Sequence, residues 1–341
     1  MGLYISKIKN KSISCMLHSA EPRLSINHLL HWIPIFESSG FPFSILVRDE
    51  NNFSKLSKKF PTLQIAYAKT PVDVEAVVTA QPELKAVFYP SNMAKNIHLL
   101  RFNHLKHVFI GTKNSDQLSK FNKSYRAYDA FWASSPYGLD RFKEELKDPR
   151  HLDLRMVGKP QIYSFAERTK EFVGCYHLAI YSDNSGIFSM LPRLLESTSL
   201  YISGYFPKIS SEDINKLMDF VTEQNYKDRI KIHKEKTGIE EALNYADTWL
   251  LDQKHLNIYS LIYDIPLIVY KEKSDCRVNP YIDDEAFYSF EKYEELEAIV
   301  QTLEKEDPKR EIRGKEREYL LGIEATKSNL FFKRLDEIVR S

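Results

Sequence analysis

The residues whose types and spacing best fit chemistry lie between His107 and Arg141. A short apolar run there ends in Gly111, and a polar loop, a Tyr-Arg-Ala-Tyr-Asp cluster and a second apolar run ending in two serines follow it. This order predicts a strand, a functional loop, a second strand and a helix. Open α/β sheets bind ligands at the carboxyl ends of their strands, so residues 112–129 are the first candidate site. The composition of this loop also fits an ordinary solvated surface loop.

Length and composition limit the classes of protein to consider. The 341 residues suffice for two domains with separate cores, and 43% hydrophobic with 28% charged residues indicates a globular chain. A formal charge of +1 gives no global argument for nucleic-acid binding. The longest apolar runs, such as 260–270, are too short and interrupted to cross a bilayer, and the first residues do not resemble a secretory signal.

The cysteines and histidines argue against a disulfide framework and a metal site. Only Cys15, Cys175 and Cys276 are present, and they are far apart in the sequence. This pattern fits a reducing cytoplasm best. His18, His28 and His31 have no carboxylate partner at a spacing typical of metal ligands, and we predict neither a metal nor a cofactor.

Apolar periodicity predicts alternating strands and helices in the N-terminal half. The predicted strands are 12–18, 43–48, 63–68, 86–89, 107–111, 131–134 and 154–158, and the predicted helices are 26–36 and 72–80. Strands separated by helices imply right-handed crossovers and a doubly wound parallel sheet of six or seven strands.

A boundary is predicted around 159–170, where a polar segment precedes a second alternation. The predicted strands there are 178–181, 200–203, 230–233, 248–251 and 267–270, and the predicted helices are 188–195, 211–222, 239–245 and 256–263. A charged helical tail over 293–340 follows. This outline is that of a GT-B glycosyltransferase, with two Rossmann-like α/β domains facing each other across a cleft and closing C-terminal helices. We expect an N-terminal acceptor-side domain over 1–165 and a C-terminal nucleotide-donor domain over 166–341.

Several segments carry a resemblance to a known family. They are AVFYPSNMAKN at 86–96, HVFIG at 107–111, NSDQLSKFNKSYRAYD at 114–129, the pair Asp140-Arg141, VGKPQ at 157–161, ALNYADTWLLD at 242–252, REYLLG at 317–322 and FFKRLDEIV at 331–339. In order and spacing they resemble the CDP-glycerol glycerophosphotransferases of teichoic-acid and capsule synthesis. The resemblance implies transfer of a polyol phosphate from a CDP-linked donor to an acceptor hydroxyl, with release of CMP.

Three functional positions depart from the family pattern. Thr112 stands where the family has a histidine, and a threonine hydroxyl does not act as a base near neutral pH. Phe206-Pro207 stands where the family has His-Pro. The family's Asp-x-Ser-Ser donor element reads Asp252, Gln253, Lys254, His255, so Lys254 and His255 would bind the diphosphate by charge at the start of the helix predicted after them.

The resemblance therefore assigns roles by position. Asp116 and Thr112 are the catalytic candidates, because Asp116 is the carboxylate nearest Thr112 in the loop and can accept a hydroxyl proton. The donor-binding candidates are Asp252, Lys254, His255 and Pro207. The residues expected to support the loop are Ser115, Asn122, Arg126, Asp129 and Arg141. For Asp116 a cap of the loop, and for Arg126 with Asp129 a buried structural pair, stay open as alternatives.

Two functions remain open at this point. The first is a transferase that moves a polyol phosphate or a sugar from a CDP-linked donor to a hydroxyl of a cell-surface polymer or glycan. The second is a catalytically silent GT-B homologue that binds a glycan, a nucleotide or a partner transferase. Either protein would be cytoplasmic, with a lipid-linked acceptor and peripheral contact with the inner face of the plasma membrane as open alternatives. Nucleic acid is not an expected partner.

Overall fold

The computed structural model describes residues 3–5, 12–22, 25–111, 123–146, 152–163, 175–271 and 281–340. The chain divides into two compact units, one of Met1–Tyr163 with Leu320–Ser341 and the other of Ser164–Tyr319. This division differs from the predicted ranges of 1–165 and 166–341, because the last helices belong to the first unit. The acceptor and donor roles of the two predicted domains stay predictions.

The first unit contains a largely parallel sheet. Its strands are β1 (Leu3–Ile5), β2 (Cys15–Ser19), β3 (Phe43–Val47), β4 (Gln64–Ala68), β5 (Ala86–Tyr89), β6 (Lys106–Phe109), β7 (Ala130–Ala133) and β8 (Asp153–Met156). Their order is β1-β4-β3-β2-β5-β6-β7-β8, and β1 alone pairs antiparallel, at the edge against β4. Every residue of β2, β3, β5 and β7 is buried, which is the pattern of parallel strands covered on both faces.

Helices alternate with these strands. They are α1 (Ser25–Ser38), α2 (Glu50–Lys59), α3 (Pro71–Thr79), the single turn α4 (Ile97–Leu100) and α5 (Pro136–Leu146). Local sequence explains where they begin: the Asp49 side chain accepts from the Asn52 amide, and Thr70 and Asp73 form a capping box ahead of α3. Shorter 3₁₀ turns lie at Ala94–Asn96, Lys123–Ala127 and Pro160–Ile162.

The end of the chain packs on the first unit. Phe331 and Leu335 of the last helix are buried in the core cluster that covers one face of the first sheet. Gly158 and Gly322 have φ of +77° and +61°, and a Cβ at either would collide with backbone atoms around Thr326 and Ser134. Only glycine allows both the left-handed conformation and this close approach. Apolar packing and backbone proximity therefore explain why the final residues differ from the predicted division.

The second unit contains a fully parallel sheet. Its strands are β9 (His177–Tyr181), β10 (Tyr201–Tyr205), β11 (Ile230–His233), β12 (Thr248–Asp252), β13 (Leu267–Tyr270) and β14 (Tyr288–Phe290), in the order β11-β10-β9-β12-β13-β14. Helices of the second unit and of the C-terminal end are α6 (Ser185–Ser197), α7 (Ser211–Glu223), α8 (Lys236–Ala242), α9 (Tyr293–Leu303), α10 (Arg310–Leu321), α11 (Ile323–Lys327) and α12 (Leu330–Arg340).

The predicted fold class of two Rossmann-like domains is confirmed, and one predicted helix is wrong. Residues 256–263 do not form one helix but include a short 3₁₀ turn, Ile258–Leu261, after another at Gln253–His255. Leu256 and Asn257 are extended, with ψ of 122° and 169°, and the Asn257 side chain caps the second turn, so a single helix does not begin at 256. Within the described ranges, no helix is long and apolar enough to cross a membrane.

Candidate functional site

Each sheet contains a point at which the order of its strands reverses. In the first sheet the chain proceeds from β2 to β3 and β4 on one side and from β5 to β8 on the other. In the second sheet it proceeds from β9 to β10 and β11, then from β12 to β14 on the opposite side. Crevices outside the carboxyl ends of the two strands at such a switch point are where open α/β sheets bind ligands. The two places to examine are therefore the ends of β2 with β5 and of β9 with β12.

The switch point of the second unit contains two buried carboxylates. Tyr181 at the end of β9 pairs in register with Leu251 of β12, so the next residues, Ser182 and Asp252, lie side by side. Asp252 Oδ2 accepts hydrogen bonds from Ser182 Oγ at 2.8 Å and from the Asp183 amide at 2.9 Å. The side chains of Asp252 and Asp183 are only 6% and 7% exposed. Parallel strand pairing thus brings together residues that are far apart in the sequence.

Three basic side chains surround these carboxylates. Asp183 Oδ2 lies 3.0 Å from Lys208 Nζ, 3.2 Å from Lys254 Nζ and 3.7 Å from His255 Nε2. The other ring nitrogen of His255, Nδ1, contacts Asp252 Oδ1, and the ring stacks on Tyr181 at 4.2 Å. We refer to Asp183, Lys208, Asp252, Lys254 and His255 as the charged cluster.

The environment of the charged cluster keeps both carboxylates ionised. Burial raises the pKa of Asp183, but hydrogen bonds from Lys208 and Lys254 outweigh this effect, and the net pKa is lowered. Burial likewise raises the pKa of Asp252, while hydrogen bonds from His255, the Asp183 amide and Ser182 lower it below its usual value. The cluster is therefore a set of paired charges.

A helix begins beside the charged cluster. Helix α6 starts directly after β9, and its N-cap Asn184 accepts a hydrogen bond from the Gly186 amide at 2.6 Å. A Cβ on Gly186 would lie 3.3 Å from the Tyr270 hydroxyl, so the start of the helix is close to the end of β13. Free amides of a helix N-terminus attract anions. Cationic side chains and helix amides are thus available on the same edge of this sheet.

The predicted donor residues are brought together only in part. Asp252, Lys254 and His255 belong to the charged cluster, but Lys254 and His255 lie in a 3₁₀ turn and pair with carboxylates instead of standing at the start of an α-helix. Pro207 follows β10, directly before Lys208. Phe206 is buried and its ring packs edge-on against Phe188 at 5.1 Å.

The predicted residues of the first domain fall into two groups. Thr112, Ser115, Asp116 and Asn122 lie outside the described residues, so their roles stay predictions. The others make contacts that hold the fold: Arg126 donates to the Leu146 carbonyl at 2.8 Å, Asp129 Oδ2 accepts from the His107 amide at 2.7 Å, and the guanidinium of Arg141 lies 5.7 Å from the centre of the Tyr137 ring.

Sequence reasoning missed Asp183 and Lys208. The segment Ser182-Asp183-Asn184-Ser185-Gly186 follows an apolar strand and is rich in residues that cap helices, so the start of a functional helix could have been predicted there. No comparable sequence pattern marks Lys208 as a functional residue. Its role depends on the pairing of β10 with β9, which places the ends of these strands next to each other.

Comparisons with known proteins bear on the fold. No protein-family model matches the sequence, and no curated protein matches it. The structure is similar to that of a glycosyltransferase from Rickettsia africae, at 12% identity over 97% of this chain and 98% of that chain, with a TM-score of 0.51. It is also similar to the UDP-GlcNAc 2-epimerase from Methanocaldococcus jannaschii, at 12% identity over 95% of this chain and 99% of that chain, with a TM-score of 0.54. These similarities confirm the predicted GT-B-like fold.

Proposed function

We propose that the chain is a transferase that moves a polyol phosphate or a sugar from a nucleotide-activated, CDP-linked donor to a hydroxyl of a polymer or glycan acceptor. The donor binds in the second domain and the acceptor in the first. The GT-B-like fold supports group transfer from a nucleotide donor, and the resemblance of the sequence to the CDP-glycerol glycerophosphotransferases supports the finer choice of donor.

The observation that carries this proposal is the charged cluster at the second switch point. Lys208 and Lys254 follow β10 and β12, the two strands on either side of β9, and both contact a single carboxylate oxygen of Asp183; helix α6 begins beside them. A diphosphate carries the charge that such groups bind, and it would exchange with Asp183 for the two ammonium groups. His255 between Asp252 and Asp183 would supply a third cation when protonated.

Stabilising the leaving group is the chemical task of this site. When the acceptor oxygen bonds to the transferred group, the bond to the nucleotide breaks, so that CMP leaves in transfer of a polyol phosphate and CDP in transfer of a sugar, and negative charge accumulates on the departing phosphate. Fixed positive groups near that phosphate lower the barrier because they are already oriented when the charge develops. Pro207, directly before Lys208, would keep the backbone at that position restricted.

The catalytic residues proposed for the acceptor side lie outside the described ranges. Asp116 is proposed to orient or deprotonate the acceptor hydroxyl, next to Thr112. Ser115, Asn122, Arg126, Asp129 and Arg141 are proposed to support the same loop. A lipid-linked acceptor and a partner transferase belong to the finer part of this proposal.

Titration of CMP, CDP and UDP by calorimetry tests the donor site. Replacing both Lys254 and His255 with alanine should weaken CDP binding by about 1.5 to 3 kcal/mol for each charge-assisted hydrogen bond that is removed. Lys216→Ala is the matched control, because Lys216 lies on α7 and pairs with Glu212 on the surface. Unchanged affinity in the double variant would overturn the assignment of this cluster to the donor. UDP is included because a structurally similar protein is named for a UDP-linked sugar.

Release of CMP from CDP-glycerol, with CDP-ribitol as a second donor, tests the reaction itself. One observation favours the second candidate, a silent homologue that binds a nucleotide or a glycan: the lysines of the cluster are already paired with Asp183, and Phe206 is buried in place of a polar side chain. Nucleotide binding without turnover on any CDP-linked donor would decide for that candidate.

A further inference from the structure

A second carboxylate and histidine pair lies at the switch point of the first domain. Glu21 follows the end of β2 by two residues, and His28 lies in the first turn of α1, the helix that follows this strand. His28 Nδ1 is 3.0 Å from Glu21 Oε2. Both of these atoms are buried and neither makes a hydrogen bond within the described residues, so the contact is an ion-pair approach; the two side chains as a whole are 22% and 18% exposed. The exposed part of the imidazole therefore lies away from Nδ1.

The chain segment that carries Glu21 is held in place from a neighbouring helix. The Asn52 side chain donates to the carbonyl oxygens of Glu21 at 3.3 Å and of Pro22 at 2.9 Å. Asn52 is itself buried. Its backbone amide donates a hydrogen bond to the side chain of Asp49, the N-cap of α2. These contacts hold the backbone that carries the Glu21 side chain before any ligand binds.

The location of the pair agrees with a role in chemistry. β2 and β5 are the two strands at which the order of the first sheet reverses, and the Ser19 and Ser91 hydroxyls at their carboxyl ends are 3.4 Å apart. A ligand bound at this switch point would lie outside the end of β2, where Glu21 begins the connection to α1.

We infer that His28 is the base that deprotonates the acceptor hydroxyl and that Glu21 positions it. A carboxylate facing Nδ1 favours the tautomer with the proton on that nitrogen, which leaves the Nε2 lone pair free to accept a proton. This inference rests on the proposed function and replaces Asp116 as the base.

Transfer of a polyol phosphate then begins with the removal of a proton by His28. His28 Nε2 takes the proton of the acceptor hydroxyl, and the acceptor oxygen forms a bond to the phosphorus of the transferred group. The bond from that phosphorus to the bridging oxygen breaks, and CMP leaves with the electron pair. The imidazolium, stabilised by Glu21, then releases its proton to water.

Kinetics of CMP release from CDP-glycerol distinguish the two candidate bases. His28→Gln should lower kcat by about 100-fold or more, the usual contribution of a general base, while the stabilisation of the protein by CMP stays unchanged. His31→Gln is the matched control, because His31 is an exposed histidine on the same helix, and it should retain wild-type kcat. Loss of kcat in Asp116→Asn together with normal kcat in His28→Gln would overturn the inference.

A spectroscopic measurement tests the position of the proton without turnover. Nitrogen chemical shifts of the histidine rings, with the His28 signal assigned by its loss in His28→Gln, should show the neutral ring protonated on Nδ1. Glu21→Ala, which removes the acceptor facing Nδ1, should weaken this preference and also lower kcat with little change in KM, whereas a merely structural contact would leave kcat unchanged. A neutral ring protonated on Nε2 in the wild-type protein would overturn the role of His28. Nucleotide binding without any turnover in the wild type would overturn the proposed function, and the base role with it.

Discussion

The two switch points of this molecule use the same residue types in opposite ways. In the second domain, Asp183 and Asp252 are almost fully buried; Asp183 faces three basic groups, and two of these, Lys254 and His255, also contact Asp252. In the first domain, a single imidazole faces a single carboxylate, Glu21, and both side chains are about a fifth exposed. The difference in burial and in the number of partners suits the second site to anion binding and the first site to proton transfer. A network of fixed charges can bind and stabilise an anion, whereas a lone, accessible imidazole can take up and release a proton.

The largest expected effect on stability comes from removing Asp252. Its carboxylate accepts from Ser182 and from the Asp183 amide and contacts His255, so Asp252→Ala leaves two buried donors without an acceptor and removes a contact of His255. We expect a loss of about 3–5 kcal/mol in the free energy of unfolding, measured with urea. The matched change in the first domain, Glu21→Ala, should cost about 1 kcal/mol because the pair is partly exposed.

The control for this comparison is Glu240→Ala. Glu240 pairs with Lys236 at 3.3 Å on the surface of α8, and both side chains are more than half exposed. Its removal should change stability by less than about 0.5 kcal/mol. Equal losses for Asp252→Ala and Glu240→Ala would show that the charged cluster is held no more tightly than a surface ion pair.

The two domains should also respond differently to acid. Burial, with a smaller contribution from Arg48, lowers the pKa of His18 to about 3. Since an unfolded histidine titrates near 6.5, the first domain should lose stability as the pH falls from about 6.5 toward 3, by at most ~1.4 kcal/mol per pH unit. Asp183 and Asp252 have lowered pKa values, so their contribution to the second domain persists down to about pH 4 and is lost below it.

Chemical denaturation between pH 7 and 5 measures this difference. At pH 5 the contribution of His18 amounts to about 2 kcal/mol, and His18→Gln should remove that part of the pH dependence. Burial also lowers the pKa values of His107 in the first domain and His233 in the second, so the informative quantity is the difference in slope between variant and wild type. Identical slopes would mean that His18 is protonated in the folded state.

The fold follows from the sequence more directly than the site does, for physical reasons. Ala86–Tyr89 and Leu267–Tyr270 are strands at the predicted residues, because short buried apolar runs between polar turns leave little choice, and Ile230–His233 is a strand at the predicted residues through its alternating isoleucines. The helix predicted over 256–263 is wrong because Asn257 supplies a cap for a short turn, a local effect that apolar spacing does not reveal.

The sites depend on contacts between distant residues. A family resemblance indicates Asp252, Lys254 and His255 as site residues. Their partners Asp183 and Lys208 lie next to them only because β9 pairs with β12 and with β10. No spacing rule for metal ligands detects the pair of Glu21 and His28. A connection between a strand and a helix brings these two residues together, and its path depends on Asn52 of another helix.

A change at Asp183 sharpens the assignment of the second switch point to anion binding. Asp183→Asn keeps the shape of the side chain but removes a negative charge that faces Lys208 and Lys254. We expect CDP to bind about 10-fold more tightly, or about 1.4 kcal/mol, because the diphosphate no longer competes with a carboxylate for the ammonium groups. Calorimetric titration measures this change, with Glu240→Gln as the control. Weaker binding would show that Asp183 mainly positions the lysines.

The smallest expected effects concern the two lysines as stabilising groups. Lys208 and Lys254 are 70% and 50% exposed and contact the same oxygen of Asp183, so either one still compensates the buried carboxylate when the other is removed. Lys208→Gln and Lys254→Gln should each cost at most about 1 kcal/mol in the free energy of unfolding. In the double variant only His255, at 3.7 Å, still faces that oxygen among these three basic groups, so the loss should exceed the sum of the single losses by at least about 0.5 kcal/mol. Urea denaturation of the four proteins completes the double-mutant cycle. Additive losses would mean that the lysines interact with Asp183 independently, and the second switch point would then resemble the isolated pair of the first.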